Sequence, residues 1–357
     1  MVRKNILRYA SASANLYNFL GDTNFEHHMD VYKSVVDNAL KAHEDIKNFA
    51  VEHARVVDPA NVLEQLPERP VLFVTFHTGS YNNLVCLLLK RGHQVHVLSD
   101  TDSVANNDYN QVSELYSNRY KNGCSMEMVN VEEQGAIFSI IKQMKQGIVT
   151  LAYLDGNKGV GGQTKHNENM VDISFLNGRV KVRKGLAFIS YLLKIPVVVV
   201  LNYTVDGIDY IRFHEPIQPV EKDREQYCLQ TIQSIFDIFQ QHVRQYYDQW
   251  SNWLYVHLWT DLDYFRQKLT SHASPTTASA QGGLRFNEHR FCPLRLDGKL
   301  YLFDRILYRA IPVDESYKDI FSYKTSTVEK TNCIEKLTAE TPDKTRELIE
   351  KHVLIEV

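Results

Sequence analysis

The chain has 357 residues, 44% of them hydrophobic and 23% charged, with a net charge of −3. These are the values of an ordinary globular protein, long enough for one large domain or for two. The charge argues against a broad nucleic-acid surface, which carries a basic bias. Five dispersed cysteines (Cys86, Cys124, Cys228, Cys292, Cys333) form no CxxC pair, so reduced cytoplasmic thiols are expected and a thiolate zinc site is not. No His cluster carries the partners a metal requires. The first residues lack the apolar core of a signal peptide, and no apolar run is long enough to span a bilayer. A soluble cytoplasmic protein with no transmembrane segment is expected, with peripheral membrane contact left open.

Residues 1–60 read as a helical segment, with Val31, Val35, Val36, Leu40 and Ile46 near helical spacing and Asp58-Pro59 opening a further short helix. From residue 71 strands and helices alternate. Strands are expected at 71–76, 94–98, 125–131, 148–154, 196–203 and 209–213, and helices at 82–91, 108–122, 133–146, 186–193 and 223–247. This order predicts an α/β fold, a three-layer sheet with helices on both faces, over residues 61–270. Residues 271–284 are small and polar and read as a linker. Residues 285–357 form a small α+β module with a hairpin turn at Asp297-Gly298.

The stretch at 71–82, Val-Leu-Phe-Val-Thr-Phe-His-Thr-Gly-Ser-Tyr-Asn, ends an apolar run in a histidine and passes through a glycine into a helix. A strand that delivers His77 to such a turn places it where open α/β sheets present groups to ligands. There an imidazole can act as a general base, or serve only as a hydrogen-bonded turn residue. Ser80 lacks the glycines of a nucleophile elbow. The glycine-rich run at 155–162 fits neither the Walker nor the Rossmann spacing and reads as a loop. Trp250, Trp253 and Trp259, with Tyr246, Tyr247 and Tyr255, either pack a core or line an apolar channel. Arg179, Lys181, Arg183 and Lys184 put four cations just before a helix, as a phosphate-binding segment or a solvated basic turn.

The block His77-Thr78-Gly79-Ser80-Tyr81-Asn82 resembles the His-x4-acid motif of the lysophospholipid acyltransferase superfamily, closest to its lipid A biosynthesis acyltransferase branch. Further blocks match in order: Tyr153-Leu154-Asp155-Gly156, Phe175-Leu176-Asn177-Gly178-Arg179, Gly185-Leu186-Ala187, Lys194-Ile195-Pro196 and the Trp-rich segment from Trp250. The resemblance implies an acyltransferase domain of bacterial biosynthesis that moves an acyl group from an acyl carrier protein or CoA thioester to a hydroxyl or amine. The acceptor would be a small molecule or peptide, with no tightly bound cofactor. It implies His77 as general base, oriented by Asn82 or Asp155, with substrate contacts from Gly79, Tyr81, Gly178, Arg179, Arg183 and Lys184. Arg179 and backbone amides near Gly79 would hold the oxyanion and the donor phosphate. Asn82 stands where the family has an acid, so Asp155 or Asp102 would have to supply the charge. The alternative is a catalytically silent acyl-binding scaffold. Residues 285–357 resemble the small winged-helix modules of the PqqD family, which bind precursor peptides; a plain α+β appendage is the alternative.

Overall fold

The computed structural model describes residues 3–66, 68–105, 109–156, 169–220, 223–272, 283–321 and 327–356. They form two compact units, Asp30–Thr260 on one hand and Met1–Met29 with Asp261–Val357 on the other. These limits differ from those read from sequence, because residues 1–60 are shared between the two units. Most of the expected linker, residues 273–282, lies outside the described residues. No helix among the described residues is long and apolar enough to cross a membrane.

The larger unit carries β1 (Arg55–Val57), β2 (Leu72–Thr75), β3 (Gln94–Ser99), β4 (Ser125–Asn130), β5 (Val149–Tyr153), β6 (Met170–Phe175), β7 (Gly178–Arg183), β8 (Val197–Val205) and β9 (Ile208–Phe213). Seven of them build one sheet in the order β1-β9-β8-β2-β5-β3-β4. Every neighbouring pair is parallel except β8 with β9. The central strands are apolar on both sides, as a sheet covered on both faces requires. Phe73, Leu151, Val198 and Val200 pack with Leu84 to Leu89 of the helix Asn83–Lys90 and with Tyr116. On the opposite face, Phe239 of the helix Arg224–Gln245 lies flat against Phe76 at 3.7 Å between centroids. The larger unit therefore has the expected three-layer α/β architecture.

The sequence reading misses two kinds of element. β1 is three residues long and half-exposed, too short to show a period. The basic segment at 178–184 is not a turn but mostly strand β7, paired antiparallel with β6. Its alternation explains this: Val180 and Val182 are buried, while Arg179, Lys181 and Arg183 point to the other side. Asp58 does serve a helix start, accepting from the amides of Val62 and Leu63, but the helix begins at Val62 rather than at Pro59.

In the smaller unit β11 (Phe291–Leu296), β12 (Lys299–Asp304) and β13 (Arg309–Pro312) form an antiparallel sheet, after β10 (Leu284–Phe286) and before β14 (Leu354–Glu356), which pair with each other. Asp297 and Gly298 both have positive φ, the conformation that a tight hairpin demands. One set of core residues includes Phe291, Leu302, Phe321, Ile334 and Leu348. A second set joins Cys292 and Phe303 of the sheet to Ala10 and Ala14 of the helix Arg3–Asn15. That packing assigns the first helix to this unit.

Three histidines of the larger unit are held neutral by burial. His214 and His257 are pushed down to about 4 and His242 to about 3, with Arg212 adding to the effect at His214 and His242. In the unfolded chain they titrate near 6.5. Their contribution to stability is therefore whole above pH 6.5 and lost as the pH falls towards 4, and towards 3 for His242. Each histidine adds a slope of about 1.4 kcal/mol per pH unit inside its window. Urea unfolding followed from pH 7 to pH 4.5 is expected to show this steep loss, with His242→Gln less steep by about one such increment.

Candidate functional site

β2 and β5 are parallel neighbours with Thr75 opposite Tyr153. Two residues further along each strand stand His77 and Asp155, so the register alone brings them side by side. The His77 Nδ1 lies 2.7 Å from Asp155 Oδ1, and the His77 backbone N–H donates to both carboxylate oxygens at 3.2 and 3.0 Å. Trp250 Nε1 and Asn252 Nδ2 donate to Oδ2 at 2.8 and 2.9 Å. Asp155 is fully buried. Burial works to raise its pKa, but electrostatic attraction to the His77 side chain and the hydrogen bonds from His77 and Trp250 outweigh it and hold the carboxyl below its usual value. An ionised carboxylate can only accept, so Nδ1 of the neutral imidazole carries the hydrogen and Nε2 carries the lone pair. The His77 side chain keeps 29% of its surface open to solvent. A base with a fixed tautomer and an accessible lone pair is what proton abstraction needs.

The turn that carries His77 is clamped from several sides. The His77 carbonyl accepts from Ser251 N–H at 2.9 Å, and Thr78 Oγ1 meets His242 Nε2 at 3.2 Å. Gly79 has φ +54°, and a Cβ there would sit 2.8 Å from Tyr203 Cα and 2.9 Å from Asn202 O, so no other residue fits without displacing β8. Ser80 donates to Asp45 and Asp209 and accepts from Lys41 Nζ, which also binds both carboxylates. The Gly79 amide itself donates to the Gln249 carbonyl at 3.1 Å.

Asn82 does not orient His77, contrary to one of the two expectations. Its Nδ2 donates to the Ala42 carbonyl at 3.0 Å and its Oδ1 accepts from Tyr153 OH at 3.4 Å. Asp155 takes the position beside the imidazole. The Asp102 side chain and residues 157–168, which include most of the glycine-rich run, lie outside the described residues. Tyr81 sits edge-on to the imidazole at 4.8 Å, and Tyr153 lies over it at 4.6 Å. Gly178 starts β7 at a buried position. Arg179 opens on a cleft of about 510 Å³ between the β6–β7 hairpin and the helix Arg224–Gln245, with Asp172, Ser174, Leu229, Gln230, Gln233 and Ser234. Lys184 is paired with Glu225, and Arg183 is half-buried with Glu132 as an electrostatic neighbour. Trp250, Trp253 and Trp259 are all buried, Trp250 against Phe175 and Phe239. Sequence reasoning therefore missed a polar task for Trp250 and Asn252. The Thr75–Tyr153 register would have exposed the His77–Asp155 pair, but registers are not written in single strands.

No protein-family model matches this chain, and no curated protein sequence matches it. Among solved structures, it is similar to the crystal structure of the 1-acyl-sn-glycerophosphate (LPA) acyltransferase PlsC from Thermotoga maritima, at 15% sequence identity and a TM-score of 0.34 over 70% of this chain and 100% of that one.

The Asn82 geometry carries its own test. Asn82→Asp would remove the donor to Ala42 and turn a carboxylate towards that carbonyl. A loss of about 1–3 kcal/mol in urea unfolding is expected; an unchanged midpoint would show that the Ala42 bond is not made.

Proposed function

We propose that the larger unit is an acyltransferase that moves a fatty acyl group from a carrier-protein or CoA thioester to a hydroxyl or amine acceptor. The observation that carries this reading is the Asp155–His77 pair, which leaves Nε2 as a proton acceptor at the carboxyl edge of the sheet. In the reaction Nε2 takes the acceptor's proton while its oxygen or nitrogen attacks the thioester carbonyl. The carbon–sulfur bond then breaks and the imidazolium returns the proton to the leaving thiolate. Asp155 keeps the tautomer and balances the transient positive charge. Arg179, in a cleft it shares with Ser174, Gln230, Gln233 and the acidic Asp172, would hold a donor phosphate. The reading as a silent scaffold drew on Asn82, and Asp155 provides the carboxylate that position 82 lacks. Thiol release from long-chain acyl-CoA and acyl carrier protein thioesters, in the presence of amine and alcohol acceptors, tests the proposal. His77→Gln and Asp155→Asn are each expected to lose about 10²–10⁴-fold in kcat. Equal rates in wild type and His77→Gln would overturn it.

The smaller unit suits a peptide acceptor or partner. Among the described residues β13 has no strand on its outer side. Beside it lies a cleft of about 660 Å³ lined by apolar Ile311, Val313, Leu348 and Val353 and by charged residues of both signs, among them Arg309, Lys344, Asp314 and Glu347. An open strand edge next to apolar pockets is how extended peptides are added to sheets. Binding to an array of extended peptides is expected, and Ile311→Glu should abolish it while helix content by circular dichroism stays constant.

A further inference from the structure

Asp155 meets the His77 imidazole from one direction, through Nδ1. Its two oxygens are already shared among the His77 backbone N–H, the His77 ring, Trp250 and Asn252. When Nε2 gains a proton, the faces of the ring are a second direction from which the imidazolium can be stabilised. One face of the ring is occupied by Tyr153, with centroids 4.6 Å apart and planes inclined by 31°. Tyr81 approaches the same imidazole at 63°, edge to face, and stands at 88° to Tyr153. The Tyr153 ring is itself held in place, because its hydroxyl donates to the Tyr81 carbonyl at 3.2 Å and lies 3.4 Å from Asn82 Oδ1. The face of an aromatic ring carries negative potential and attracts a cation laid over it.

We propose that Tyr153 is a positioning residue for His77, which fixes the imidazole plane and stabilises its protonated form through the face of the phenol ring. The inference rests on His77 as the base and adds a second source of charge stabilisation beside Asp155. The groups recorded around the imidazole are Asp155 and Tyr153 from the β5 side and Tyr81 from its own turn, with His43 behind Tyr81 at 6.4 Å. Of the two tyrosines, Tyr153 has the smaller tilt to the imidazole, 31° against 63° for Tyr81. The ring and its hydroxyl have separable tasks. The hydroxyl anchors the side chain to the turn, and the ring face meets the charge.

The test needs no acyl substrate, so it can fail independently of the acyltransferase reading. Diethyl pyrocarbonate modifies only unprotonated imidazole, and mass spectrometry of the intact chain's peptides reports the rate at His77 as a function of pH. In Tyr153→Leu the midpoint of that profile is expected about half a pH unit lower than in wild type, because the protonated form has lost its aromatic neighbour. In Tyr153→Phe, which keeps the ring and loses the hydroxyl, the midpoint should stay at the wild-type value. If Tyr153→Leu does not give a cooperative urea transition, Tyr153→Met replaces it with a flexible side chain of similar reach. An unchanged midpoint in the folded variant overturns the proposal. So does an equal shift in Tyr153→Phe, which would assign the effect to the hydroxyl. A shifted midpoint in a protein that transfers no acyl group would leave this inference standing and remove the proposed reaction.

Discussion

A carboxylate without water must find its solvation inside the protein, and Asp155 finds it in four groups that come from two separate parts of the chain, His77 and the segment holding Trp250 and Asn252. The cost of burying such a charge runs to several kcal/mol unless hydrogen bonds replace the lost hydration. Removing any one donor would therefore disturb more than a single contact. The carboxylate sets the His77 tautomer, ties the turn to the Trp-rich segment and joins the end of β2 to the loop after β5. The site is thus an outcome of the same interactions that close the sheet at this edge.

The surroundings of the turn follow the same logic with different chemistry. Lys41, Asp45 and Asp209 meet around Ser80, His242 meets Thr78, and β8 leaves room only for a glycine at position 79. Each neighbouring element thereby contributes one constraint on a six-residue stretch. A base used in proton transfer needs its direction fixed to within a fraction of an ångström. The packing here supplies that by geometry, with no strain required in the imidazole itself.

How much of this could be read from the residues depends on the range of the interaction. The buried strands announced themselves, since runs such as Val197 to Leu201 are apolar at every position. His77 and Gly79 were legible because a histidine and a glycine at the end of such a run have few other uses. Asp155 was legible as an acid after a strand, but its pairing with His77 required knowing that β2 and β5 are neighbours in register. Asn82 misled through its spacing: on the helix that follows, its amide turns back to Ala42. The β6–β7 hairpin was hidden because its cations dominate the composition while its valines carry the period.

The partners of Asp155 lie 78, 95 and 97 positions away along the chain. During synthesis the acid leaves the ribosome long after His77, yet well before Trp250 and Asn252. Until those last two residues emerge, its charge is better served by water than by a partly assembled interior. The four-donor shell cannot be complete until almost the whole of the larger unit has been made.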